Sequence, residues 1–148
     1  MRKIIAAILL AAGLSSVLAA AAVAGEMIAV IVHRDNPTGL LSEAEIRMIY
    51  TNKRLQWPDG TPMVLYDLAV QNPLRSVFSE AVLGKTAYKV AEDWAHLKIT
   101  NQAKNPPMTI KSQSLIIKRV AEDRGAIGYV SLKEVRGKEG IKIINTLQ

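Results

Sequence analysis

The sequence has 148 residues, a formal net charge of +6 at neutral pH and no cysteine. This length favours a single domain, and the absence of cysteine excludes both disulfide bonds and a lipid-anchored lipoprotein. The basic residues are scattered and only 5% of the residues are aromatic. A nucleic-acid interface is therefore not expected, because it would need clustered cations and aromatic rings for base stacking.

The first 24 residues have the pattern of a secretory signal peptide. Met1–Lys3 is positively charged, Ile4–Leu18 is an uncharged apolar core, and Ala22–Ala24 forms an A-x-A cleavage pattern. The alternative is an uncleaved membrane anchor, because the apolar stretch continues to Ala24, but a glycine and two serines interrupt it. Cleavage after Ala24 removes two cations and lowers the net charge from +6 to +4. We expect a periplasmic protein whose mature part, residues 25–148, has no stable membrane span.

The first half of the mature chain predicts two strands separated by a helix. Met27–Val32 is a continuous apolar run rich in β-branched residues, which is typical of a strand buried on both faces. Ser42 and Glu45 have the spacing of a capping box at the start of a helix. A turn is predicted at Trp57–Gly60, and Pro62–Tyr66 is predicted to be a second buried strand.

The second half predicts three helices and two strands. One helix opens at Asn72-Pro73 and ends at Gly84, where a glycine cap is expected. The other predicted features are a helix over Ala87–Leu97, a polar loop over Thr100–Pro107, a helix from Ser112 to Gly125, and strands at Ala126–Val130 and Ile141–Ile144. Strands that alternate with helices predict an α/β sandwich with a mainly parallel sheet.

The sequence contains no recognisable catalytic or metal-binding motif. His33 and His96 are far apart and neither belongs to an H-x-x-x-H pair, so no metal site is expected. The chain has no G-x-S-x-G elbow and no glycine-rich phosphate loop. Neighbouring acidic residues such as Glu92 and Asp93 point in different directions on a helix and are interpreted as solvated. We therefore predict that the protein is not an enzyme and uses no cofactor.

The helix that opens at Asn72 admits two interpretations. Its free N–H groups and its dipole favour a bound anion, and Arg75 would add a charged, forked contact. Alternatively, Asn72 is only a helix cap, Pro73 only a favourable first residue, and Arg75 only a solvent-facing side chain. Capping preferences alone favour the second interpretation.

Several stretches together resemble the phosphate-binding proteins of ABC transporters. They are IAVIVHRDNPTGLLSEAEIRMIYTNKRLQWPDGTPM, NPLRSVFSEAVLG followed by DWAHL, and DRGAIGYVSLKEV. The resemblance implies a three-layer, periplasmic-binding-protein-like α/β lobe with a mainly parallel sheet. Two features differ from the family pattern, because a Gly-Ser-Gly-Thr loop is missing and Asp67 lies near the position of a family arginine. The chain also supplies one lobe where full-length members have two.

The resemblance implies an exported, non-catalytic solute-binding-like protein that binds phosphate or another small oxyanion for an ABC transporter. The residues expected to line the site are Gln71, Asn72, Arg75 and Ser76. The expected partners are the oxyanion and either an ABC permease or another envelope protein. The alternative is a periplasmic interaction or accessory module that has lost ligand binding.

Overall fold

The structure is a computed structural model, and it describes residues 25–148. The predicted signal peptide, residues 1–24, lies outside the described residues. The elements in chain order are β1 (Ile28–His33), α1 (Glu43–Tyr50), β2 (Val64–Leu68), α2 (Pro73–Phe78) with a π-helical turn (Ser79–Leu83), α3 (Ala87–Ile99), β3 (Met108–Ile110), α4 (Gln113–Glu122), β4 (Ala126–Ser131), a 3₁₀ turn (Leu132–Val135) and β5 (Ile141–Leu147).

The five strands that residues 25–148 form lie in one sheet, in the order β3-β2-β4-β1-β5. β2 is parallel to both β3 and β4, whereas β1 is antiparallel to its two neighbours, β4 and β5. Four strands consequently share one direction and β1 alone is reversed. The prediction of an α/β fold with a mainly parallel sheet is confirmed.

Helices cover both faces of this sheet, which gives the three layers that the resemblance implied. On one face α4 packs so closely against β4 that a Cβ atom on Gly128 would lie 2.6 Å from Cγ2 of Ile116. On the opposite face the ring of Tyr129 stacks on Phe78, with ring centroids 3.8 Å apart and planes at 3°. β1 and β4 lie between the layers, and their residues are almost all buried.

Capping residues that are close in sequence determine where several of the helices begin or end. Glu45 donates its backbone N–H to Ser42 Oγ at 3.2 Å, and Glu45 Oε2 accepts the backbone N–H of Ser42 at 2.9 Å, which completes the predicted capping box. Gly84 ends the π-helical turn with φ +66°, the left-handed conformation expected of a glycine cap. The helix predicted to end at Gly125 instead ends at Glu122. None of the helices within residues 25–148 combines the length and the apolar character needed to cross a membrane.

Candidate functional site

The start of α2 is occupied by hydrogen bonds within the chain. Asn72 Oδ1 accepts the backbone N–H of Leu74 at 2.9 Å. The backbone N–H groups of Arg75 and Ser76 reach the carbonyl oxygen of Asn72 at 3.0 and 3.3 Å. Pro73 has no N–H to offer. The first turn of α2 therefore has the geometry of a capped helix, in which each early N–H already has an acceptor.

Arg75 points into the protein and not towards solvent. It is 5% exposed, its Nη2 lies 3.4 Å from Asp67 Oδ2, and its Nη1 donates to the carbonyl oxygen of Leu68 at 2.8 Å. Its Nε is buried and has no hydrogen-bond partner among residues 25–148. Arg75 thus forms a buried ion pair and keeps one unpaired donor.

Asp67 is the carboxylate of this pair and lies on β2. Its Oδ1 accepts the hydroxyl of Tyr129 and, at 2.9 Å, the backbone N–H of Leu68. Burial raises the pKa of Asp67, while Arg75 and the Tyr129 hydrogen bond act in the opposite direction without cancelling that effect. The carboxyl group is consequently easier to protonate than an ordinary aspartate.

An aromatic cluster closes the inner side of the ion pair. Besides its stack on Tyr129, the Phe78 ring makes an edge contact with Tyr50 at a centroid distance of 5.1 Å. The hydroxyl of Tyr50 donates to the carbonyl oxygen of Tyr66 at 2.9 Å. Burial, together with the charge of Asp67, raises the pKa of both Tyr50 and Tyr129 well above the usual tyrosine value. These phenols stay neutral, and access to the ion pair comes from the opposite side.

On that opposite side lies a cavity of about 150 Å³, here called the polar hollow. The residues that line it are Asp67, Val70, Arg75, Ala91, Trp94, Lys98, Pro107 and Thr109. Asp67 and Thr109 are paired across the parallel strands β2 and β3. The hollow therefore lies beside the end of β2, where Asp67 and Val70 line it, and beside the start of β3, where Pro107 and Thr109 line it.

Of the four residues expected to line an anion site, Arg75 is the one that lines the polar hollow. Gln71 is exposed, and Asn72 and Ser76 are partly buried, all outside that lining. Sequence reasoning did not select Lys98 and Thr109. Thr109 lies on β3, a strand that the sequence analysis did not predict, and Lys98 comes from the last turn of α3. Within residues 25–148 the titratable side chains form no group of three that could hold a metal ion.

Solved structures with the same architecture are described as phosphate-transport proteins. A protein from Clostridium perfringens, described as a phosphate ABC transporter substrate-binding protein with bound phosphate, matches with TM-score 0.65 and 24% identity, covering 81% of this chain and 44% of its own. An ABC-type phosphate transport receptor from Vibrio cholerae matches with TM-score 0.62 and 15% identity, covering 81% of this chain and 46% of its own. PstS from Borrelia burgdorferi matches with TM-score 0.64 and 14% identity, covering 81% and 47%.

The chain shares their fold. It spans less than half of the length of each of these three proteins. The resemblance to phosphate ABC transporter substrate-binding proteins is confirmed at the level of structure, and those proteins are binding and transport proteins by their descriptions. No protein-family model matches the sequence, and no curated protein sequence matches it.

Proposed function

We propose that the protein is an exported, non-catalytic solute-binding-like protein that holds a small oxyanion, such as phosphate, in the polar hollow. The observation that carries the proposal is the position of Arg75 and Lys98 around one small cavity that borders the paired strands β2 and β3. Solved proteins of the same fold are described as phosphate-binding proteins. The cavity volume of about 150 Å³ is sufficient for a single inorganic ion.

The charges in the polar hollow suit a singly charged oxyanion that still carries a proton. With Asp67 ionised, the two cations leave one positive charge in excess, which an anion would neutralise. Thr109 offers a hydroxyl donor, and Lys98 brings an ammonium group that has no ion-pair partner among residues 25–148. Asp67 accepts the hydrogen of a P–OH group, so the carboxylate selects a protonated oxyanion rather than repelling every anion.

The expected affinity is weak. Lys98 is exposed, and an exposed ion pair contributes only about 0–1 kcal/mol because water and salt screen it. Two donor groups of Arg75 already contact Asp67 and Leu68 and are not free for a ligand. Binding in the millimolar range is therefore the expectation for the lobe by itself.

Export and partnership belong to the same proposal. The signal-peptide pattern of residues 1–24 supports secretion into the periplasm, where an ABC permease would receive the ligand. N-terminal sequencing of protein recovered from a periplasmic fraction tests the first step, and cleavage after Ala24 would leave Gly25 as the first residue. A protein that stays in the membrane fraction with Met1 intact would contradict it.

A second candidate function is a periplasmic interaction or accessory module without a ligand. The specific observation in its favour is that Arg75 is neutralised by Asp67 and that Asn72 is used as a cap. Such a module would retain the lobe as a scaffold and use its surface for an envelope protein. A molar mass that rises with protein concentration in light scattering, together with the absence of a phosphate effect, would support this candidate.

Thermal melting in phosphate separates the two candidates. Phosphate at 100 times its Kd should add about 2.7 kcal/mol to the free energy of unfolding, relative to chloride at the same ionic strength. Lys98→Gln should reduce the phosphate-dependent shift, whereas Lys138→Gln, at an exposed position away from the polar hollow, should not. If phosphate causes no shift beyond that of chloride, oxyanion binding is refuted and the interaction module is favoured.

A further inference from the structure

A second and larger cavity lies between helical segments of the protein. It has a volume of about 360 Å³ and is enclosed by the end of α1, the π-helical turn and α3. Its floor is formed by apolar and aromatic side chains, namely Leu83, Val90, Trp94 and Leu97, and this cavity is called the apolar groove below. Its volume falls within the range of about 300–1,000 Å³ that small-molecule sites usually occupy.

Cations surround the mouth of the apolar groove. Arg47 donates its Nε–H to the carbonyl oxygen of Val82 at 2.6 Å, which fixes the guanidinium and leaves both terminal nitrogens without a partner among residues 25–148. Lys53 is exposed and forms no ion pair within the same residues. Lys85 and Asp93 also line the groove, but they neutralise each other at 2.6 Å. The groove thus has two uncommitted positive charges above an apolar floor.

The π-helical turn shapes one wall of this groove. A π turn widens the helix and is found frequently at functional sites. Here it spans Ser79–Leu83, and the carbonyl oxygen that Arg47 binds belongs to it. The same turn supplies Leu83 to the floor, so one local distortion places both an apolar wall and the anchor of a cation.

We propose that the apolar groove binds a small amphiphilic carboxylate, a ligand with an apolar body and one carboxylate end. The apolar body would lie against Trp94 and Leu97, and the carboxylate would lie at the mouth between Arg47 and Lys53. An inorganic oxyanion would leave the apolar floor in water, and a neutral apolar molecule would leave the two cations uncompensated. This site is separate from the polar hollow, although Trp94 lines both cavities.

Trp94 provides a direct readout, because it is one of only two tryptophans in the chain. The other, Trp57, is buried and donates to the carbonyl oxygen of Gly125 at 2.9 Å. Titration of the full mature chain with octanoate, followed by calorimetry and by tryptophan fluorescence, should show saturable binding with a change in emission. The Trp57→Phe variant assigns that change to Trp94. If this variant fails to fold, calorimetry on the unaltered chain still measures octanoate binding.

Charge variants test the position of the carboxylate. Lys53→Gln should weaken octanoate binding about two- to fivefold, the effect of one screened surface ion pair. Lys138→Gln and Lys98→Gln should leave octanoate binding unchanged, because neither residue lines the apolar groove. The uncharged analogue octanamide should bind to the original chain more weakly than octanoate does. The Lys53→Gln substitution should not change the affinity for octanamide.

Three results would overturn the proposal. They are absence of saturable octanoate binding, equal weakening by Lys53→Gln and Lys138→Gln, and association with anionic lipid vesicles in place of free octanoate. The last result would assign the cations to a membrane surface. If the original chain binds octanoate but not phosphate, only the proposed function of the polar hollow is refuted.

Discussion

Replacement of Arg75 by methionine tests whether the buried ion pair is a structural feature. Methionine keeps an apolar stem and removes the charge, which leaves the Asp67 carboxylate buried without its cation. Both side chains of the pair are 7% exposed. Removal of one partner from a buried pair costs about 3–5 kcal/mol, and we expect the lower end because Asp67 already has a raised pKa and can take up a proton.

A loss of about 3 kcal/mol corresponds to a fall in Tm of about 12 °C, at about 4 °C per kcal/mol for a domain of this size. The loss should depend on pH. The folded pKa of Asp67 lies above its unfolded value, so its contribution to stability is present below the unfolded pKa and is lost as pH rises through the folded pKa. Without Arg75 the folded pKa rises further, and the difference in Tm from the original chain should be larger at about pH 8 than at about pH 5.

Circular-dichroism melting of four proteins completes the test. The proteins are the original chain, Arg75→Met, Asp67→Asn and the double variant, in which an asparagine oxygen can still accept the Tyr129 hydroxyl. The double variant should lose much less stability than the sum of the two single losses, because neither charge is left buried without a partner. An unchanged Tm in Arg75→Met, or strict additivity in the double variant, would refute the structural role of the pair and return Arg75 to a purely ligand-facing role.

Three further substitutions test the local structure. Asn72→Ala should cost about 1 kcal/mol, because it removes the helix cap, and it should leave phosphate affinity unchanged. Ser42→Ala should also cost about 1 kcal/mol through loss of the capping box. Gly128→Ala should cost about 1–3 kcal/mol because its new Cβ would press on Ile116, a stiff and fully buried side chain. The change in the free energy of unfolding of each variant is measured by urea unfolding, with one m-value used for all variants.

Matched positions provide the controls for these substitutions. Gln71→Ala changes an exposed residue of the same turn as Asn72 and should be neutral. Gly39→Ala adds a Cβ where no atom lies within 4 Å, so its effect should be small. Equal losses at Gly39 and Gly128, or at Gln71 and Asn72, would contradict the contacts on which these predictions depend.

The sequence predicts the features of this fold that are determined locally. The apolar run of β1, the Ser42 capping box and the Gly84 cap are each specified by residues a few positions apart. β3 was missed because it has only three residues, two of them exposed, and is a strand only through its pairing with β2. The reversed direction of β1 is likewise invisible in its own residues, since it depends on segments about a hundred residues away.

The candidate site was harder to predict because its parts come from separate elements. Asn72 was correctly read as a candidate helix cap, but the direction of Arg75 depends on Asp67, which precedes it by eight residues. A carboxylate inside the apolar stretch VLYDL was the available signal, because a buried charge requires a partner. No comparable signal joins Lys98 to Thr109, which line the same cavity but belong to a helix and a strand that are separate in sequence.

The position of β1 makes folding of the sheet depend on segments that are distant in sequence. Ile28 pairs with Ser131 on one side and with Leu147 on the other, so β1 is enclosed by two strands that lie about a hundred residues further along the chain. Closing such long loops is entropically costly and slow. The sheet of residues 25–148 is therefore incomplete until β4 and β5 have been made, and Ile28–Val32, which are fully buried in the folded protein, stay uncovered until then.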